Sequence, residues 1–327
     1  MLNFRTKLSG SFCQTAVISW CGIVAQNLNR RTEPFSFLFC AGENKKIKNM
    51  IEINKNYNES NLETMANMPD CFVDLTVTSP PYDGLRTYNG YSFPFEEIAK
   101  ELFRITKQGG VVVWVVGDAT IKGSETGTSF RQALYFKEVG FDLFDTMIYA
   151  KPPRGAVGNN KTYWQTFEYM FILSKGKPKT INLITDRKNK ESRDGDNGTK
   201  RLENGDLLKV KRGGYSEYGR RTNIWEYGIG KGQSTKDNIA FEHPAIFPEQ
   251  LANDHIISWS NEGDLVYDPF MGSGTTTKMS ILNNRNWIGS EISSEYCNII
   301  EERIKKAWEE KRKEKDLQAG TLFGGEM

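Results

Sequence analysis

The sequence predicts an α/β fold built on a doubly wound sheet, and three observations carry that prediction. The run Val111-Val112-Val113-Trp114-Val115-Val116 is almost wholly β-branched and lies between Gly109-Gly110 and Gly117, the pattern of a strand buried on both faces of a parallel sheet. From residue 72 onward, apolar runs of strand length alternate with segments of helical spacing. Further along, Asp268-Pro269-Phe270-Met271-Gly272-Ser273-Gly274-Thr275 puts two glycines where a strand turns into a helix.

Taken in order, residues 72–77 read as a buried strand and residues 95–106 as a helix that Gly109-Gly110 stops. Residues 130–138 suit a helix, and residues 141–150 and 167–173 suit strands. Order returns after about residue 241, with an amphipathic helix at 248–260, a strand at 265–267, a helix at 275–284 and a strand at 287–289. The charged run 301–316 reads as a helix with a solvated face, and residues 318–327 as a flexible tail. No internal repeat is visible.

With 327 residues and 38% hydrophobic content, the chain can bury one large core or two modest ones, and it is too mixed to be fibrous or wholly disordered. The formal net charge of +2 excludes a global basic field, so any such field must be local. The five cysteines (Cys13, Cys21, Cys40, Cys71, Cys297) contain no Cys-x-x-Cys pair, and His243 and His255 are the two histidines. That leaves too few ligands for a Cys/His zinc site, so no metal is expected. The odd, scattered cysteine count suits a reducing, cytoplasmic setting.

Residues 1–49 stand apart, holding three of the cysteines and an apolar stretch at 12–25 behind Arg5 and Lys7. The stretch is interrupted by Gln14, Thr15 and Ser19 and is too short to span a bilayer, so neither export nor a membrane partner is expected. The break in composition makes Met50 a candidate natural start.

Between residues 175 and 231 the apolar periodicity fades while 15 Lys/Arg face 8 Asp/Glu, a local net of +7. There Lys211, Arg212, Arg220 and Arg221 interleave with Tyr215, Tyr218, Trp225 and Tyr227. The mixture suits phosphate neutralisation together with contact to bases, the alternative being a solvated insertion.

Two constellations carry chemistry. In the glycine loop, Gly272 and Gly274 let a ligand approach the backbone, and Thr275 is placed to cap the helix that follows. Glu291 comes 23 residues after Asp268 at the end of the next strand, near the spacing at which a carboxylate binds the ribose hydroxyls of an adenosine cofactor. Position 277 is Thr, so the third glycine of a dinucleotide fingerprint is missing, which disfavours a pyrophosphate ligand and a nucleotide-dependent oxidoreductase. Read alone, the two glycines are equally a tight turn.

The second constellation, Thr78-Ser79-Pro80-Pro81-Tyr82, follows the strand at 72–77, at a carboxyl end where open α/β sheets place their ligands. Proline has no N–H, so the Pro80 carbonyl stands as a rigid acceptor; Ser79 adds a second acceptor and Tyr82 a flat face. Such a pocket suits a flipped base whose exocyclic amine is gripped by its hydrogens and stacked on a ring. A turn that ends a strand is the plainer alternative.

Together, the Thr-Ser-Pro-Pro-Tyr and Asp-Pro-Phe-Met-Gly-Ser-Gly-Thr motifs resemble those of the β group of amino DNA methyltransferases, enzymes that methylate cytosine N4 or adenine N6. The resemblance spans nearly everything from Met50 to about Lys313 and implies a Rossmann-like S-adenosyl-L-methionine-dependent methyltransferase sheet with an inserted target-recognition region. Its implied organisation is an extension at 1–49, a catalytic half at 50–181, the target-recognition insertion at 182–235, a cofactor-binding half at 236–313 and a tail at 314–327. It implies catalytic roles for Ser79, Pro80, Pro81 and Tyr82, and cofactor contacts for Phe270, Gly272, Gly274 and Thr275, with Asp268 anchoring the loop and Glu291 on the ribose. Glu59 stands where the family usually has Gly-Asp, so the resemblance puts it near the adenine. The His243-Pro244-Ala245 segment resembles the one that closes over the methionine end, although His243 equally suits a packing role. Lys211, Arg212, Arg220 and Arg221 become the DNA-binding candidates.

Serine in the first motif position is the pattern usual for cytosine-N4 enzymes, with adenine-N6 as the alternative. Methylation at cytosine C5 is disfavoured because it needs a cysteine nucleophile and no Pro-Cys pair occurs. The remaining rivals are a methylase acting on a protein amide and a DNA-binding module with a decayed site. Double-stranded DNA is the expected partner, and a cognate restriction endonuclease would fit the family. Residues 318–323 loosely resemble peptides that bind the replication sliding clamp.

Overall fold

The structure, a computed structural model, describes residues 51–81, 93–152, 163–189, 197–211, 213, 214 and 216–323. The expectations for residues 1–49, the proposed start at Met50, and Tyr82, Arg212 and Tyr215 lie outside the described residues.

Among the described residues one sheet of eight strands forms the centre of the fold. Its strands are β1 (Lys55–Tyr57), β2 (Val73–Thr78), β3 (Thr106–Val116), β4 (Asp142–Ala150), β5 (Phe167–Ser174), β6 (Ile224–Glu226), β7 (Leu265–Asp268) and β8 (Asn286–Ser290). They lie in the order β1-β8-β7-β2-β3-β5-β4-β6. All neighbours are parallel except β5, which is antiparallel to both β3 and β4. The sheet is therefore mixed, where the sequence alone suggested a parallel one. An apolar run carries no signal for strand direction; direction follows from the connection, and an antiparallel return needs no crossover helix.

β3 shows why this sheet needs helices on both faces. Its Val112, Trp114 and Val116 join one buried cluster, with Ile98 and Leu102 of α2 (Phe95–Ile105) and Phe136 of α3 (Thr128–Val139). The alternate residues Val111, Val113 and Val115 join a second cluster, with Leu251 and Ile256 of α4 (Glu249–Trp259) and Met279 of α5 (Thr275–Leu282). Successive strand side chains point to opposite faces, so an unbroken apolar run must be covered twice. Gly109 and Gly110 fall inside β3 rather than ending the helix: α2 stops at Ile105, and the pairing of β2 with β3 shifts register between Val73 and Leu75. Glycine in a strand commonly marks such an irregularity.

Two elements beyond the sequence reading complete the β8 edge of the sheet, namely β1 and the short helix α1 (Asn61–Ala66). The α1 start carried a legible signal, since Ser60 and Glu63 form a capping box in which the Glu63 carboxylate accepts the Ser60 N–H at 3.2 Å. The final helix, α6 (Ser294–Phe323), packs Ile300 and Ala307 against Ile281 and Trp287, and it continues through residues 318–323, which the sequence set apart as a tail.

Within residues 182–235, the strand Asn197–Arg201 pairs with Leu207–Lys211 as an antiparallel hairpin, and Arg187–Lys188 pairs with Tyr218–Gly219. β6 then rejoins the main sheet beside β4. This corrects the reading of Trp225 and Tyr227 as base contacts: both are buried in the second core cluster. Pairing with β4 turns the side chain of Trp225 into the core, and Tyr227 packs beside it. No described helix is long and apolar enough to cross a membrane.

Candidate active site

A cavity of about 1110 Å³ opens at the carboxyl ends of the parallel strands, bordered by residues that follow β1, β2, β3, β7 and β8. Ser79, Pro80 and Pro81 stand near its middle in sheet order. On one side, over β7, β8 and β1, lie the glycine loop, Glu291 and Glu59; on the other, over β3, β5 and β4, lie Asp118, Tyr149, Lys151, Glu168 and Tyr169.

Asp268 joins the two motifs. One oxygen of its buried carboxylate accepts the Thr78 hydroxyl at 2.7 Å and the Phe270 N–H at 3.1 Å. Burial pushes its pKa up to about 6, against the hydrogen bonds from Thr78, Phe270 and Thr276. The residue before the Ser-Pro-Pro turn is thereby pinned to the end of the neighbouring strand.

Gly272 and Gly274 both occupy the left-handed region, with φ of 51° and 76°. A Cβ on Gly272 would stand 3.0 Å from the His243 ring, and its N–H donates to a Glu291 carboxylate oxygen at 2.9 Å. Gly274 faces away from the cavity, where a Cβ would meet Ile300 of α6 at 3.2 Å, so its requirement is packing rather than ligand approach. Gly274, not Thr275, is the N-cap of α5. The Thr275 hydroxyl accepts from Arg303 at 3.1 Å, although Thr275 still borders the cavity.

Glu291 accepts the Ser293 N–H with its other oxygen at 2.9 Å, and burial pushes its carboxyl above the ordinary carboxylate range. Asn58 donates to the Glu291 carbonyl at 2.8 Å and Asn61 to the Pro269 carbonyl at 3.2 Å, so the turn after β1 is laced to the loop. Glu59 borders the cavity there and accepts the Thr64 hydroxyl at 2.9 Å. Phe270 packs edge-on against Phe93, with ring centroids 5.7 Å apart. His243 packs its ring 4.4 Å from Tyr296 with its Nδ1 2.8 Å from the Ala245 carbonyl, and it also borders the cavity. Acceptor carboxylates, a backbone bare of Cβ and an aromatic face make a set that fits an adenosine with an amino-acid end.

Sequence reasoning missed two groups. In the first, the side chain of Arg303 is fully buried beneath the glycine loop, donating to the Ser273 carbonyl at 2.6 Å, the Ser273 hydroxyl at 3.0 Å and Thr275. The same guanidinium pairs with Asp237 at 3.1 Å and Glu249 at 2.6 Å, which Lys278 also bridges at 2.9 and 3.0 Å. Burial raises Asp237, but Lys278 and Arg303 prevail and hold its carboxyl below the ordinary value. In the second, on the far side of the cavity, Lys151 pairs with Glu168, and burial beside Glu168 pushes the Tyr149 phenol far above its usual range. Tyr149, Lys151 and Glu168 sit at the cavity ends of β4 and β5, which is the signal that could have found this second group.

Among the DNA-binding candidates, Lys211 and Arg220 are exposed. Arg221 is not available in the same way. Its guanidinium pairs with Asp186 and with the buried Asp254 at 2.5 Å, donates to the Tyr227 hydroxyl at 3.1 Å and lies 5.1 Å from the centroid of the Trp225 ring. These contacts fasten the segment around Arg221 to α4 and leave its guanidinium engaged within the fold.

A family profile described as DNA methylase, that of the N6/N4 methyltransferases, matches residues 73–302. The chain is 64% identical over 246 residues to the orphan methyltransferase M.BamHII of Bacillus amyloliquefaciens, covering 73% of this chain and 91% of the relative. It is 27% identical over 263 residues to the type II methyltransferase M.BglII of Bacillus subtilis, covering 76% and 68%. Among solved structures, the fold is similar to PvuII DNA methyltransferase, described as cytosine-N4-specific, with a TM-score of 0.56, 22% identity and 76% and 85% coverage. It is also similar to M1.HpyAVI in a complex with SAM, with a TM-score of 0.50, 21% identity and 76% and 98% coverage. The profile match and the M.BamHII identity, on a sheet that carries both motifs to one cavity, establish that the chain belongs to the DNA methylase family of N6 and N4 methyltransferases.

Proposed function

We propose that this chain is a site-specific DNA methyltransferase that transfers a methyl group from S-adenosyl-L-methionine to N4 of a cytosine flipped out of duplex DNA. The observation that carries this reading is that Ser79, Pro80 and Pro81 border the same cavity as Gly272 and Glu291. When bound, S-adenosyl-L-methionine supplies an electrophilic methyl carbon. Glu291 and Glu59 would hold its adenosine, with the loop around Gly272 kept in place by Asp268 and Arg303.

An exocyclic amine is a weak nucleophile because its lone pair is delocalised into the ring, so orientation is the main task. Ser79 and the Pro80 carbonyl, taking the two amine hydrogens, would favour a tetrahedral nitrogen and accommodate the positive charge that develops on it. Tyr82 would stack on the extruded base. Serine ahead of the two prolines favours cytosine over adenine within the family. Lys211 and Arg220 would neutralise phosphates, a role that positions the protein without reading sequence. The orphan description of the 64% identical relative favours a methylase that acts without its own restriction endonuclease.

Expression in a methylation-free host, with nucleoside mass spectrometry and single-molecule sequencing of the genome, tests this reading. N4-methylcytosine in one sequence context, lost in Ser79→Ala, is the expected result. N6-methyladenine in its place would overturn the choice of base, and no modified base would overturn the activity.

A further inference from the structure

We propose that Lys151 is a specificity-determining residue, its ammonium donating to the ring nitrogen next to the amine that is methylated. The inference rests on the reading of Ser79–Pro81 as an amine pocket and extends it to the neighbouring atom of the base.

Cytosine and adenine share one recognition edge, an amine carbon bonded to a ring nitrogen that accepts a hydrogen bond. Acceptors suffice for the amine, but the ring nitrogen requires a donor, and neither proline of the motif has an N–H to offer. Among the described residues, Lys151 is the one lysine or arginine that borders the cavity. It stands at the end of β4, in the half away from Glu291 and the glycine loop, where the base would have to enter.

The side chain is held for such a role. Its ammonium pairs with Glu168 of β5 and lies 5.4 Å from the centroid of the Tyr149 ring. The Lys151 side chain keeps 27% of its surface exposed and that of Glu168 15%. An ammonium carries three N–H donors, and Glu168 takes one. No further Lys151 side-chain hydrogen bond forms among the described residues, so donors remain to face the cavity. The neighbouring carboxylates are otherwise engaged: Asp118 accepts from Ser129 and Thr126, and Glu125 accepts from Gln165 at 2.9 Å. Paired with Glu168, the lysine reads the base without leaving a lone cation beside an amine that must become more positive. A contact of this kind is made before and during transfer alike, so it acts on DNA affinity and KM rather than kcat. Competing donors on the same wall include the Tyr149 and Tyr169 hydroxyls, of which Tyr149 is next but one to Lys151 along β4.

The test pairs a substrate atom with a side chain. Duplexes carrying the methylated site, identified by sequencing, are made with the natural target base or with its deaza analogue, 3-deazacytosine or 1-deazaadenine, in which the ring nitrogen is C–H. Wild type, Lys151→Met and Tyr149→Phe are compared, and calorimetry with S-adenosyl-L-methionine verifies that each variant keeps its cofactor site. The wild type is expected to lose about 10- to 100-fold in kcat/KM on the analogue, the range for one hydrogen bond to a charged donor. Lys151→Met should lose a similar factor on the natural base and nothing further on the analogue. An analogue that serves the wild type as well as the natural base would overturn the proposal. So would a Lys151→Met enzyme still fully sensitive to the analogue, or sensitivity abolished by Tyr149→Phe instead. Failure of the underlying reading looks different: the wild type would then methylate neither duplex.

Discussion

Asp268 sets burial against charge inside the site. A carboxyl whose ordinary pKa is 3.8 stands at about 6 in the fold, chiefly because it is removed from water. The folded state therefore favours the protonated form. The stabilisation this brings is fully present below pH 3.8 and is lost as pH rises through 6, so near neutrality the ionised group costs about 3 kcal/mol. Asp268→Asn is isosteric, keeps an acceptor for Thr78 and Phe270, and does not titrate. Urea unfolding of both proteins from pH 4 to 7 should show wild-type stability falling relative to the variant by about that amount. Parallel curves would mean that Thr78, Phe270 and Thr276 compensate the carboxylate fully. The carboxylate is retained because Asp268 holds the residue before Ser79 and the start of the glycine loop with a single oxygen.

At the scale of elements, the glycine loop is held by a helix that follows it by some twenty residues. Arg303 of α6 clamps Ser273 and Thr275, while Asp237 and Glu249 balance its charge together with Lys278. Arg303→Met would leave two partly buried carboxylates facing one lysine. Such a break costs about 3–5 kcal/mol and should weaken S-adenosyl-L-methionine binding, as read by thermal unfolding and calorimetry. Arg303→Lys keeps the charge but not the fork, so intermediate values are expected; equal losses in both variants would mean that the guanidinium geometry is irrelevant. This network also marks where sequence reading stops. Strands 72–77, 111–116 and 141–150, and the helices near 95, 130, 249 and 275, were legible because burial on two faces or one imposes a period on the residues themselves. Arg303 lies in a charged run whose average is a solvated face, and nothing local distinguishes the one guanidinium that α5 and the loop enclose. The direction of β5 and the shortness of β1 were hidden for the same reason: both depend on distant partners.

Across the whole molecule, charge divides unevenly, with +7 gathered between residues 175 and 231 in a chain whose total is +2. Sequence alone could locate that excess but not say which cations remain free for a partner. Arg221 is turned inward to Asp254 and Asp186, and the Lys175 ammonium caps the Phe103 and Thr106 carbonyls at 2.7 and 3.0 Å, so neither contributes a free surface charge. Lys211, at the end of the 197–211 hairpin, and Arg220 are exposed. Each phosphate a cation neutralises releases counterions, so the salt dependence of DNA affinity counts such contacts. Lys211→Ala and Arg220→Ala should each weaken binding by similar factors on specific and unrelated duplexes, and each should reduce the slope of log Kd against log salt by about 1. Arg221→Ala should behave in the opposite way. It leaves the buried Asp254 without its cation, still accepting from Tyr227, Gln250 and Asn253, at a cost of about 3 kcal/mol of stability, while the salt slope of the protein that remains folded stays near that of the wild type. Fluorescence anisotropy from 50 to about 200 mM salt separates the two behaviours. A slope that drops for Arg221→Ala but not for Lys211→Ala or Arg220→Ala would mean that Arg221 leaves its carboxylates to meet the DNA, and that the basic segment rearranges on binding.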